Sequence, residues 1–172
     1  QYALGRAYDN GQGVAQDYVK AVEWWEKAAA QQQPDAQFGL GIAYYEGKGV
    51  AQDYVKAVEW LEKAAAQQHA VAQFGLGVAY HSGKGVAQDY EKSVVWWEIA
   101  AAQQHADAQF NLGSAYYKGQ GVAQDYVKAV EWYEKAAAQQ HAVAQFKLGN
   151  AYYIGKGVAQ DNVKAVEWYE KA

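Results

Sequence analysis

Histidine, serine and regularly spaced acids are the side chains here from which a reactive or metal-binding centre could be built, because the sequence has no cysteine and no threonine. His69, His105 and His141 recur every 36 residues. Histidines on stacked helices sit about 8–10 Å apart, the spacing of packed helices. A zinc ion needs donors about 2 Å away, so the three are not a ready-made metal site. They fall at the ends of helical runs, where the helix dipole favours such a residue. A nucleophile needs a hydroxyl or thiol with a base in reach, and only Ser82, Ser93 and Ser114 are available. Ser93 replaces an alanine of the other copies, and Ser114 stands where they carry Ile42, Val78 or Asn150. His81, which replaces Tyr45, Tyr117 and Tyr153, is a candidate ligand contact. The acids Glu23, Glu59, Glu131 and Glu167 each precede a lysine by four residues (Lys27, Lys63, Lys135, Lys171), the spacing of an exposed helical ion pair. The loops "GQGVAQ" and "GKGVAQ" are glycine-rich, but no strand leads into them and each feeds a helix capped by aspartate, which repels phosphate. The pattern predicts no catalytic residue, no metal and no cofactor.

Composition narrows the partners. A net charge of −4 leaves no basic stripe for phosphates, so nucleic acid is not an expected partner. No apolar run approaches the ~18 residues of a membrane span, so membrane insertion is not expected. The chain opens on Gln1, not Met, and reads as a trimmed piece whose targeting segment is out of view.

The residues above must be positioned by a repeat. Leu4, Leu40, Leu76, Leu112 and Leu148 fall every 36 residues, each followed by glycine. Within one copy, apolar periodicity predicts a first helix over about 35–46 and a second over about 54–67, with Gly47 and Gly49 shaping the loop and Asp53 as N-cap. Leu40, Gly41 and Tyr44 of the first helix face Ala57, Val58, Leu61 and Ala64 of the second. Leu61 becomes Trp25, Trp97, Tyr133 or Tyr169 in the other copies, and the small residues opposite permit close approach. One pair is too small to bury its core, so the pairs must stack. The expected fold is all-α, an α/α right-handed superhelix (solenoid) of 36-residue helix-turn-helix repeats, with residues 1–172 forming a single domain of about five repeats.

The stretch "AQFGLGIAYYEGKGVAQDYVKAVEWLEKAAAQQHA", with its motif G-x-G-V-x-x-D-Y-x-K-A, resembles the Sel-one-like repeat, a relative of the tetratricopeptide repeat. One departure is the position before His69 and its equivalents in the other copies, usually glycine in that family and here Gln32, Gln68, Gln104 or Gln140. A left-handed backbone there costs glutamine about 1 kcal/mol relative to glycine. The resemblance implies an adaptor in larger assemblies, first helices lining a concave face, and a bacterial periplasmic or secreted location, with a cytoplasmic one open.

Copies that agree at packing positions express individuality where they differ. On the first helices those sites are Ile42, Tyr45, Val78, His81, Ser114, Tyr117, Asn150 and Tyr153, beside the aromatic row Phe38, Phe74, Phe110 and Phe146. Two readings apply: the phenylalanines pack between repeats, and the variable sites line a groove for a peptide or protein segment. A second candidate surface is Val95, Trp96 and Ile99, where one copy exchanges the usual Glu and Lys for Val and Ile. Both drift and weak self-association fit it. The expected function is a protein-protein interaction scaffold without enzymatic activity. The alternative is a cell-wall glycan binder or hydrolase of the bacterial envelope.

Overall fold

Each aspartate before a second periodic run caps a helix, and each glycine after a first run ends one. Asp53 Oδ1 accepts from the backbone N–H groups of Val55 and Lys56 at 3.0 and 3.1 Å. Gly47 ends its helix at φ 72°, a left-handed conformation that glycine adopts without penalty. The loop glutamine then staples the exposed helix end, since Gln52 Nε2 donates to the Tyr45 carbonyl at 2.7 Å and Gln88, Gln124 and Gln160 act likewise. The computed structural model describes residues 1–172 as α1 (Tyr2–Asn10), α2 (Tyr18–Ala29), α3 (Pro34–Glu46), α4 (Tyr54–Ala66), α5 (Ala70–Ser82), α6 (Tyr90–Ala102), α7 (Ala106–Lys118), α8 (Tyr126–Ala138), α9 (Ala142–Ile154) and α10 (Asn162–Lys171). No strand is present, and the fold is the expected all-α array of helical repeats.

The chain divides into two compact units, Gln1–Gln88 with α1–α5 and Asp89–Ala172 with α6–α10. In each, a helix packs mainly on its predecessor and successor. Leu40, Leu76, Leu112 and Leu148 are wholly buried, and the large residues opposite them, Trp25, Leu61, Trp97 and Tyr133, are buried as well. Gly49 marks the close contact between repeats, because a Cβ there would lie 2.2 Å from the Tyr18 carbonyl oxygen.

The residue before each of His69, His105 and His141, and before Gln33 in the first copy, is left-handed: Gln32, Gln68, Gln104 and Gln140 have φ of 60°, 63°, 63° and 62°. This corrects the reading of the histidines. One left-handed glutamine completes the turn, so the next residue already stands at the start of the following helix. His69, His105 and His141 are therefore N-caps of α5, α7 and α9, not residues at a helix C-terminus. Their Nδ1 atoms accept from the N–H groups of Ala72, Ala108 and Ala144 at 3.1, 3.4 and 3.1 Å.

Candidate functional site

In the N-terminal unit, α1 and α3 bound a cleft of about 200 Å³. Tyr2, Arg6 and Asp9 come from α1 and Asp35, Phe38, Ile42 and Glu46 from α3, with the buried Trp25, Gly39 and Ala43 beneath them. Glu46 is closed off by Lys48 at 2.7 Å. Asp35 accepts from Gln33 Nε2 at 2.8 Å and meets His69 Nε2 at 3.3 Å. Burial, then the charge of Asp35, raises the pKa of the Tyr2 hydroxyl above the ordinary tyrosine value, with Arg6 opposing.

The aromatic row is partly consumed by the junctions. Phe38 stacks on His69 with centroids 4.9 Å apart and planes at 22°, and Phe110 stacks on His141 at 4.8 Å and 20°. The histidine thus caps one helix, packs on a ring of the previous first helix, and reaches an aspartate there, Asp35 or Asp107. Phe74 is half-buried and Phe146 is 48% exposed. Tyr45 meets Tyr54 edge-on at 5.2 Å, and Lys84 Nζ donates to its hydroxyl at 3.0 Å. Tyr117 repeats this with Tyr126 and with Lys156 at 3.4 Å. Ile42 and Tyr153 remain exposed, while Val78 and His81 are half-buried.

Ser114 and Asn150 answer to the core. Ser114 Oγ lies 3.4 Å from the Tyr133 hydroxyl, and Tyr169 donates to Asn150 Oδ1 at 2.9 Å. Where the second helix carries Leu61 instead, the matching position is Ile42. The signal for this was a polar residue paired with tyrosine 19 positions later, a correlation that a helix-by-helix reading passes over.

On the second helices the structure corrects the expected Glu–Lys pairs. Lys27, Lys63, Lys135 and Lys171 form no ion pair with the glutamate four residues before them; their Nζ atoms lie over the indoles of Trp24, Trp60, Trp132 and Trp168 at 4.3, 3.8, 3.8 and 4.4 Å. The face of an indole holds an ammonium more firmly than an exposed carboxylate does. In α6 the lysine is Ile99, and Trp96 has no cation over it. Val95 is 53% exposed and Ile99 39%, with Trp96 half-buried between them.

No group of three or more His, Cys, Asp or Glu side chains is arranged to hold a metal, and no helix is long and apolar enough to cross a membrane. The family profile described as "Sel1 repeat" matches residues 1–32, 34–69, 70–105, 106–141 and 142–172. The chain belongs to the Sel1 repeat family. Among solved structures it resembles a protective antigen present in uropathogenic Escherichia coli strains, displaying an SLR fold, with 38% identity and a TM-score of 0.96; the match covers 99% of this chain and 36% of that one. A Sel1 repeat protein from Oxalobacter formigenes gives 34% identity and a TM-score of 0.94, covering 99% of this chain and 68% of that one. Helicobacter pylori cysteine-rich protein B matches at 25% identity and a TM-score of 0.59, over 75% of this chain and 92% of that one. No curated protein matches. Sel1-repeat proteins are generally protein-interaction scaffolds.

Proposed function

We propose that residues 1–172 act as a single non-catalytic scaffold that binds a peptide or protein segment along its first helices, with the cleft between α1 and α3 as the principal site of the N-terminal unit. The carrying observation is that this cleft joins an aromatic base to residues that differ from copy to copy, Arg6, Asp9, Ile42 and Glu46 among them. Its roughly 200 Å³ falls below the volume of a drug-sized ligand site and suits one or two side chains of a bound segment. An apolar side chain packs against Phe38, Ile42 and Trp25, while Arg6 and Asp9 fix register through polar groups of the same segment. By the same logic Tyr153 is the contact candidate of the C-terminal unit, since Tyr117, Phe110 and Phe146 already pack on other rings.

The test is selection of peptides from a displayed library on the intact chain, followed by affinity measurements on Ile42→Glu and Arg6→Glu. Ile42 is 36% exposed, so a charge there spares the core. Tenfold or greater weakening in Ile42→Glu, with unchanged circular dichroism, supports the reading. Peptides that bind the variant as tightly as the parent overturn it. Binding of peptidoglycan fragments that Ile42→Glu abolishes, with no peptide recovered, gives the cleft to the envelope-glycan alternative.

A further inference from the structure

The exchange of Glu and Lys for Val95 and Ile99 acquires a specific meaning once the lysines are seen on the indoles. In four repeats the chain supplies its own ammonium to the outer tryptophan. In the third repeat it supplies none, because isoleucine is shorter than lysine and carries no charge. We propose that Trp96 is a vacant cation-binding face and that Val95, Trp96 and Ile99 form a docking site for a lysine or arginine side chain of a protein partner. This site lies on a second helix and does not rest on the first-helix reading above.

Three observations bear on the occupant. The four lidded tryptophans show that this position on the helix accepts an ammonium 3.8–4.4 Å from the ring centroid, well inside the ~6 Å over which a ring attracts a cation. Charge on α6 is complementary to a cation: it carries Lys92 against Glu91 and Glu98, whereas α4 balances Lys56 and Lys63 against Glu59 and Glu62. Glu91 is itself a departure, replacing the valine found as Val19, Val55, Val127 and Val163. The exposed Val95 and Ile99 offer apolar contact to the aliphatic stem of an incoming lysine or arginine.

The test uses the whole chain and an acetylated, amidated (Ala-Lys)4 peptide, with (Ala-Glu)4 as control, read through the indole N–H signals of the tryptophans. The lysine peptide is expected to shift the Trp96 signal saturably while those of Trp24, Trp60, Trp132 and Trp168 stay in place, and the glutamate peptide to shift none. Ile99→Lys fills the face from within and should weaken binding by about threefold or more, the scale of one exposed cation–π contact. Lys63→Ile uncovers a second indole and should make Trp60 respond as well. Trp96 remaining still as the peptide is added, unchanged affinity in Ile99→Lys, or a silent Trp60 in Lys63→Ile each overturn the proposal. A dimer in sedimentation that Ile99→Lys dissolves, without any response to the lysine peptide, assigns the surface to a second copy and also overturns it.

Discussion

Gly113→Ala tests whether the large second-helix residue dictates the glycine opposite it. An added Cβ would stand 2.6 Å from Cδ1 and Cε1 of Tyr133 and 3.0 Å from the Ala129 carbonyl oxygen. Carbon contacts are comfortable at about 3.5–4.0 Å. The ring is held in place, since Tyr133 is 3% exposed and its hydroxyl meets Ser114. At Gly41 the same Cβ would lie 3.0 Å from the Leu61 Cδ2 methyl and 3.3 Å from the Ala57 oxygen, a milder clash with a side chain that can rotate. Alanine gains about 0.8–1 kcal/mol of helix propensity at either position, against an overpacking cost of about 1–3 kcal/mol. Gly41→Ala is therefore expected near neutral and Gly113→Ala destabilising by about 1–2 kcal/mol. In a Tyr133→Leu background the cost of Gly113→Ala should drop toward the Gly41 value, a coupling of about 1 kcal/mol between residues that touch. Helical arrays can unfold repeat by repeat, so urea midpoints should be read beside hydrogen exchange along α7 and α8. Equal effects at the two glycines, or strict additivity with Tyr133→Leu, would refute the reasoning.

Ser93 is wholly buried, its hydroxyl has no hydrogen-bond partner, and the other copies carry alanine there, so Ser93→Ala should stabilise by about 1 kcal/mol and raise the melting temperature; an unchanged or lower melt counts against that. Burial lowers the His105 pKa below the ordinary histidine value, with Asp107 opposing. The unfolded chain then takes the proton first, and stability present above about pH 6.5 should fall as pH drops through it. His105→Asn keeps a capping side chain without the titration and should flatten that part of the curve; an unaltered slope would contradict the assignment.

The repeat itself was legible because its determinants are local. Asp53 lies immediately before an apolar period and Gly47 immediately after one, and Leu40 and Leu61 are placed by periodicity alone. The departure at Gln68 marked where a left-handed residue would be costly, but that the backbone there is left-handed came from the structure. The histidine caps were not legible, since assigning His69 to one helix or the next turns on a single residue of boundary, below what periodicity resolves. The lysine–tryptophan contacts were missed for another reason. Spacing alone offers Lys63 both Glu59 at four residues and Trp60 at three, and the choice depends on how the exposed indole face lies, which only the packed helix decides. The pairing of Ser114 with Tyr133 spans two helices, so it was invisible to any reading of one helix at a time.

These engagements narrow where recognition can occur. Tyr45 and Tyr117 occupy the most aromatic of the variable positions, yet each is held by a second tyrosine and by a loop lysine of the next repeat, Lys84 or Lys156. A ligand that used Tyr45 as its anchor would have to displace the Lys84 ammonium, breaking its hydrogen bond to the Tyr45 hydroxyl and its hold on the rings of Tyr45 and Tyr54. Ile42 carries no such cost, because it is exposed and apolar, while Arg6, a long cation on an exposed helix face, already interacts with the Tyr2 hydroxyl of the same cleft. Within the N-terminal unit, selectivity for a partner should therefore reside in the α1–α3 cleft and not in the tyrosine column. Tyr45→Phe, which keeps the ring packing and removes only the hydroxyl, should leave partner affinity unchanged, while Ile42→Glu should not.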